Sequence, residues 1–475
     1  MSTVQRITKN IAITGLSQLT VSILGFVYVL SIARYLGEGE FGKYNFALYY
    51  ATFFVIIADP GISNFIIREI ARNKELTNEY VTNASLIKSL TSLIAFGIIV
   101  ASINLMHYPQ STKLIVYLFG IYTILTSFSS TFRSVYQAFE QMQFTAAVDV
   151  VKQLILMIGA LTVIYSKAGL LELAYCYVLT GITDVLLNFI FLKTIQSIRP
   201  KLNLALWKPM IIKAFPFGLN SFFAVFFFKI DTFMLSVIKG DIEVGIYSAA
   251  YTPLLVLSTV TSYMITSAIY PVMSKNFVHH KDSLELITVS IARYIIIIGF
   301  PISVGCLVLA DRFINLFYAD QYSASIFVFQ ILALFIPLRL ISGVTGTLLT
   351  SMDKQNIRTF SVALCAIINI ALNAVMIPKL GSTGAAISTV VSELCLYIIF
   401  LVFIHKYYKH LEIIQHFTKP VIASLLMGFF ITTIPKLNLY VLITISAIFY
   451  SVVLLFLGTF NQEDKNLFKQ IFKSA

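Results

Sequence analysis

Arg339 and Lys229 each stand near the middle of a long apolar run, where a charged side chain has little water to solvate it. A lysine, arginine or aspartate at the centre of a spanning helix costs about 2.5–3.5 kcal/mol unless it is paired, hydrated or facing a cavity. Asp184 and Glu393 are also central in apolar runs, and Asp59 and Asp231 lie deeper than snorkelling explains. Lys88 enters its run by only about two turns and is within snorkelling reach of the interface. The cations Lys229, Arg339 and Lys88 are candidates for binding an anionic substrate, because ammonium and guanidinium groups grip phosphate and an arginine does so in bidentate fashion. The acids Asp59, Asp184, Asp231 and Glu393 are candidates for coupling, because a carboxylate that titrates can tie substrate movement to protons or sodium. Asp231 follows Lys229 by two residues, so the two project roughly 200° apart on a helix, and one of them is expected to pack against a neighbour. Asp149 and Lys152, spaced i and i+3 near a helix end, are expected to form a local ion pair.

The elements that carry these residues are spanning helices. Of the 475 residues, 58% are hydrophobic and 12% charged, with a mean hydropathy of +0.86. Soluble domains carry roughly 25% charged residues, so lipid must cover much of this surface. A spanning helix needs about 20 mainly apolar residues. Apolar runs fall at about 10–33, 44–67, 82–106, 113–136, 144–166, 169–192, 214–238, 244–272, 286–310, 323–350, 359–378, 381–404, 418–435 and 438–460. The fold class is therefore all-α integral membrane with about fourteen transmembrane helices. The first run begins near Ile11 and continues too far for a signal-peptide core. Every connection is short, the longest running from about 193 to 213.

Basic residues set the orientation. With the N-terminus placed in the cytoplasm, 23 lysines and arginines fall in or beside inner connections and eight beside outer ones, Lys167 and Lys379 among the latter. That bias fits both termini in the cytoplasm, with the chain in the cytoplasmic (inner) membrane of the cell. The net charge of +12 does not indicate nucleic acid, because the basic residues sit singly in short loops. Four cysteines, Cys176, Cys306, Cys365 and Cys395, lie inside apolar runs without metal spacing and read as packing residues. No metal site and no cofactor are expected.

An internal duplication is visible. Gly15-Leu16 corresponds to Gly218-Leu219, and the segment Phe41 to Ala47 to the segment Val244 to Ala250, at one shared offset. Further on, Ala138 to Gln141 lines up with Ser351 to Lys354, and Gly169 to Ala174 with Gly381 to Ala386. The economical organisation is a six-helix bundle over residues 1–200, a second over 201–410, and two terminal helices with a cytoplasmic tail over 411–475. Parallel repeats of this kind suggest a transporter with its substrate path between the halves. Pro60, Pro216, Pro253, Pro301 and Pro337 interrupt the runs and are candidate hinges for alternating access.

Several stretches resemble the Wzx-type polysaccharide flippases. These are Ala33-Arg34-Tyr35-Leu36-Gly37 with Phe41-Gly42-Lys43-Tyr44, Ala58-Asp59-Pro60-Gly61-Ile62 with Ile67-Arg68-Glu69-Ile70, Lys229-Ile230-Asp231-Thr232 with the segment Val244 to Tyr251, and Gly384-Ala385-Ala386 with Glu393. The resemblance covers nearly the whole chain. It implies the two-bundle fold of the multidrug/oligosaccharidyl-lipid/polysaccharide superfamily and the movement of polyprenyl-diphosphate-linked oligosaccharide from the inner to the outer leaflet. It further implies a cationic cavity, which suits Lys229 and Arg339, and glycan-assembly membrane proteins as partners. A drug or small-molecule antiporter of the same superfamily is the alternative, although the coupling acid such exporters often carry in the first helix is missing here. A membrane enzyme is disfavoured, because the outer connections are about a dozen residues or fewer and hold no D-x-D; no catalytic residues are expected.

Overall fold

The computed structural model describes residues 3–197, 199–279, 281–409 and 411–459. Lys465, Lys469 and Lys473 of the expected tail lie outside the described residues. The described chain is helical: α1 (Thr3–Phe53), α2 (Val55–Ala58), α3 (Ile62–Arg72), α4 (Thr77–Leu105), α5 (Gln110–Ala138), α6 (Met142–Tyr165), α7 (Leu170–Ile195), α8 (Trp207–Lys239), α9 (Asp241–His279), α10 (Lys281–Val308), α11 (Ala310–Tyr318), α12 (Ser325–Ala333), α13 (Phe335–Ser351), α14 (Gln355–Tyr407), α15 (Thr418–Thr433) and α16 (Leu439–Phe456).

Among the described residues, eleven helical stretches are long and apolar enough to cross a membrane. Two of these are double, because α1 turns at Gly37 (φ 71°) and α14 at Gly381 (φ 57°), conformations that favour glycine. Reading each as two spans and adding the 39-residue α9 recovers the fourteen expected. The protein is a multi-pass membrane protein. Many large apolar side chains are correspondingly outward-facing, including Leu16, Leu161, Leu286, Phe429 and Phe456.

Backbone conformation repeats where the sequence does. Gly37 and Gly240, equivalent at the offset that relates Gly15 to Gly218, both take left-handed φ values of 71° and 90°. Glu140 and Asp353 also correspond, and both are left-handed non-glycine residues, at 59° and 58°. Each closes its helix in the same way: the amide of Gln141 donates to the Tyr136 carbonyl at 2.8 Å, and that of Lys354 to the Leu349 carbonyl at 2.9 Å.

The chain forms two compact units. The first comprises Met1–Val256 with Val362–Ala385. Here α5 lies along α7, α6 lies against α1, and α3 wedges between α5 and α8. Its core includes Ile62, Phe65, Ile66 and Ile70 of α3 against Ile87 of α4, Val135 of α5 and Ala214 of α8. The connection from α7 to α8 is fastened to the start of α4: Lys201 Nζ meets Glu79 Oε2 at 2.7 Å, and Trp207 Nε1 donates to Asn83 Oδ1 at 2.9 Å. The second unit comprises Leu257–Ser361 with Ala386–Ala475. Its α10 packs along α13 and α15, and Met427, Ile431, Leu442 and Leu454 form a core with Ile297.

The prolines divide into two kinds. Pro60 lies in the break between α2 and α3, and Pro337 is the third residue of α13, where its missing N–H costs nothing. Pro216, Pro253 and Pro301 sit inside continuous helices.

Candidate functional site

Asp59 follows the end of α2, and the break Asp59-Pro60-Gly61 turns the chain into α3. The turn brings the Asp59 carboxylate back onto α3, where it accepts from Ser63 Oγ at 2.5 Å and from the Ser63 amide at 3.3 Å. Opposite, α4 presents Lys88. Its Nζ lies 2.7 Å from Asp59 Oδ2 and donates to Ser63 Oγ (2.6 Å), Ser130 Oγ (2.7 Å) and the Ser127 carbonyl (3.1 Å). Lys88 does not use its snorkelling reach: its side chain is 0% exposed and turned inward. A partner carboxylate and three oxygen acceptors outweigh what snorkelling would gain.

A second charged cluster spans α5, α6 and α7. Arg133 lies 2.8 Å from Asp149 and 3.4 Å from Asp184, while Lys152 lies 3.3 Å from Asp184. Asn188 adds a donor to Asp184 Oδ1 at 2.9 Å, and its oxygen accepts from Tyr136. The local Asp149–Lys152 pair expected from spacing is therefore corrected. Each residue reaches across to another helix, Asp149 to Arg133 of α5 and Lys152 to the buried carboxylate of Asp184 on α7. The four charges cancel.

In the second unit, Glu393 of α14 is fully buried. Ser342 of α13 donates to its Oε1, and Arg339 Nη1 lies 3.6 Å from the same oxygen. Glu393 Oε2 accepts no hydrogen bond among the described residues. Arg339 retains 27% of its side-chain exposure.

The 200° separation of Lys229 and Asp231 sends them to different neighbours. Asp231 is buried and accepts from Tyr247 Oη of α9 at 2.9 Å and from Asn373 Nδ2 of α14 at 2.5 Å. Lys229 is half-buried, and its ammonium sits 3.8 Å from the centre of the Tyr49 ring of α1. Among the described residues it meets an aromatic face rather than a carboxylate, which leaves its charge uncancelled.

The candidates thus separate. Asp59 joins Lys88, Asp184 joins Arg133 and Lys152, Glu393 joins Arg339, and Lys229 stands over Tyr49. Reasoning from sequence missed the neutral partners Ser63, Ser130, Ser342, Asn188 and Asn373. Each is a polar residue inside an otherwise apolar helix, and that placement is the signal that marks it.

The polysaccharide biosynthesis protein family matches residues 7–277. An uncharacterized membrane protein in the cps region of Klebsiella pneumoniae is 22% identical over 358 residues, 74% of this chain and 72% of the relative. A probable low-salt glycan biosynthesis flippase, Agl15 of Haloferax volcanii, is 21% identical and covers 78% of this chain and 77% of its own. Among solved structures, the lipid II flippase MurJ in an inward closed conformation superposes with a TM-score of 0.79 at 15% identity, covering 94% of this chain and 97% of that one. An inward-facing multidrug resistance MATE transporter of the MOP superfamily reaches 0.61 at 16% identity, covering 82% and 97%. The fold is the one these transporters share. With its sequence matched over more than half its length and its charges set in that fold, the chain belongs to the polysaccharide biosynthesis protein family.

Proposed function

We propose that this protein flips a polyprenyl-diphosphate-linked oligosaccharide from the inner to the outer leaflet by alternating access, without catalysing a chemical step. The observation that carries this reading is Lys229, a cation inside a long apolar helix that, among the described residues, is held against a ring rather than an acid. A diphosphate crossing the bilayer needs a countercharge where lipid offers none. Arg339, the other candidate cation, lies in the second unit beside Glu393 at 3.6 Å. Lys88 is withdrawn into its own ion pair and supports the fold around Asp59 instead. The family and the flippase named among its relatives favour the same substrate class. The repeat halves at 1–200 and 201–410, the terminal helices from 411, the cytoplasmic termini, the cytoplasmic membrane and glycan-assembly partners belong to this proposal.

A cation-coupled small-molecule antiporter is the second reading, favoured by the MATE likeness and by the buried acids Asp231 and Glu393. Complementation of a strain lacking the gene separates the two. Lys229→Ala and Arg339→Ala, present in the membrane at normal abundance, are expected to lose glycan export. Normal export from both would overturn the cationic reading.

A further inference from the structure

Beside the charges described above, the first unit holds a cavity of about 210 Å³ between α1, α6, α7 and α9. Its chemistry differs from theirs. Four tyrosines, Tyr28, Tyr44, Tyr49 and Tyr177, line it together with Asn45 and Gln153. Tyr177 stands near-perpendicular to Tyr28, with ring centres 6.3 Å apart, and shares a 2.5 Å hydrogen bond between hydroxyls with Tyr44. The Asn45 amide nitrogen is committed to the Phe41 carbonyl at 2.8 Å.

This wall is not fully satisfied. Gln153 Nε2 has no hydrogen-bond partner among the described residues, and the Tyr28 hydroxyl, only 2% exposed and beside those of Tyr177 and Tyr44, makes no hydrogen bond of normal length. Leaving a buried polar group poorly paired costs about 1–3 kcal/mol, so these atoms favour a ligand that hydrogen-bonds. The lining carries no carboxylate, which disfavours an organic cation, and no cation, which disfavours a phosphate. What remains is a neutral molecule with apolar faces for aromatic rings and hydroxyls for tyrosine and amide groups. A sugar ring has that character.

We propose that this cavity is a subsite for one neutral sugar ring of the glycan. The proposal rests on the flippase reading and adds to it. Diphosphate recognition belongs to the cations; Lys229 packs on Tyr49, a wall of this cavity, so the two sites adjoin. A substrate held by its phosphates beside Tyr49 can set a sugar against Tyr28 and Gln153.

The test uses the full-length protein in detergent and native mass spectrometry. The probes are undecaprenyl diphosphate alone and the same lipid bearing N-acetylglucosamine, glucose or galactose. At least one sugar-bearing lipid is expected to bind more tightly than the bare lipid. Tyr28→Phe and Gln153→Leu should each cut that advantage by about three- to tenfold, the size of one hydrogen bond. Binding of the bare lipid should not change, which also shows the variants are folded. An advantage that is absent in the wild type, or undiminished in both variants, would make this a water-filled space and overturn the subsite. Tetraphenylphosphonium binding that both variants weaken would assign the cavity to organic cations and overturn it too. Failure of the wild type to bind any diphosphate lipid would overturn the flippase reading and the subsite with it.

Discussion

Gly42 of α1 and Gly245 of α9 are equivalent residues of the two sequence repeats, and they lie against one another. A Cβ on Gly42 would stand 2.9 Å from the Gly245 nitrogen and closer still to the Asp241 carbonyl; one on Gly245 would strike the Glu38 backbone. The pair lets the α1 and α9 backbones approach within the first unit.

Gly42→Leu and Gly245→Leu are expected to force this contact apart. Overpacking costs about 1–3 kcal/mol, enough to shift a closed–open balance roughly five- to a hundredfold. Labelling of a cysteine at Phe46 by an impermeant outer-face reagent should rise, and glycan export should fall. Unchanged labelling in both variants would show that the glycine contact does not seal the path.

Lys88 is expected to matter for folding before transport. Lys88→Met strands the Asp59 carboxylate, and breaking one side of a buried pair costs about 3–5 kcal/mol. Membrane abundance should drop, and adding Asp59→Asn should restore it. Export lost at full abundance in Lys88→Met would return Lys88 to the substrate-binding residues.

Much of this was legible in the sequence. Apolar runs define the spans because lipid permits few alternatives to a spanning helix, and the correspondence of Ala138-Phe139-Glu140-Gln141 with Ser351-Met352-Asp353-Lys354 reappears as paired left-handed helix ends at Glu140 and Asp353. Depth also singled out Asp59, Asp184 and Glu393, each of which meets a cation on another helix. Pairing was not legible, because it depends on which helices adjoin. Lys88 is near enough to a helix end to snorkel, yet Asp59 lies across from it through a turn whose direction sequence does not reveal. Likewise Lys152 forsakes Asp149, three residues away, for Asp184 on α7. The tyrosine cavity was invisible for the same reason, since Tyr28, Gln153 and Tyr177 are far apart in the chain.

Coupling is expected to fall on Glu393 rather than on Asp184. Asp184 is held between Arg133 and Lys152, whereas Glu393 has one guanidinium at 3.6 Å and an oxygen without a hydrogen-bond partner among the described residues. Glu393→Gln should abolish dependence of transport on an imposed proton or sodium gradient at normal abundance. Asp184→Asn should instead lower abundance, because two cations lose their shared partner. Gradient dependence that survives Glu393→Gln would remove Glu393 from the mechanism.

Lipid movement itself is the central claim, and purified protein in liposomes measures it directly. A fluorescent polyprenyl-diphosphate oligosaccharide is quenched from outside by an impermeant reductant. With wild-type protein, quenching is expected to pass the half set by the outer leaflet, whereas with Lys229→Ala it should stop near the level of empty liposomes. Wild-type quenching no greater than that of empty liposomes, while the same liposomes transport a small organic cation, would contradict the flippase account.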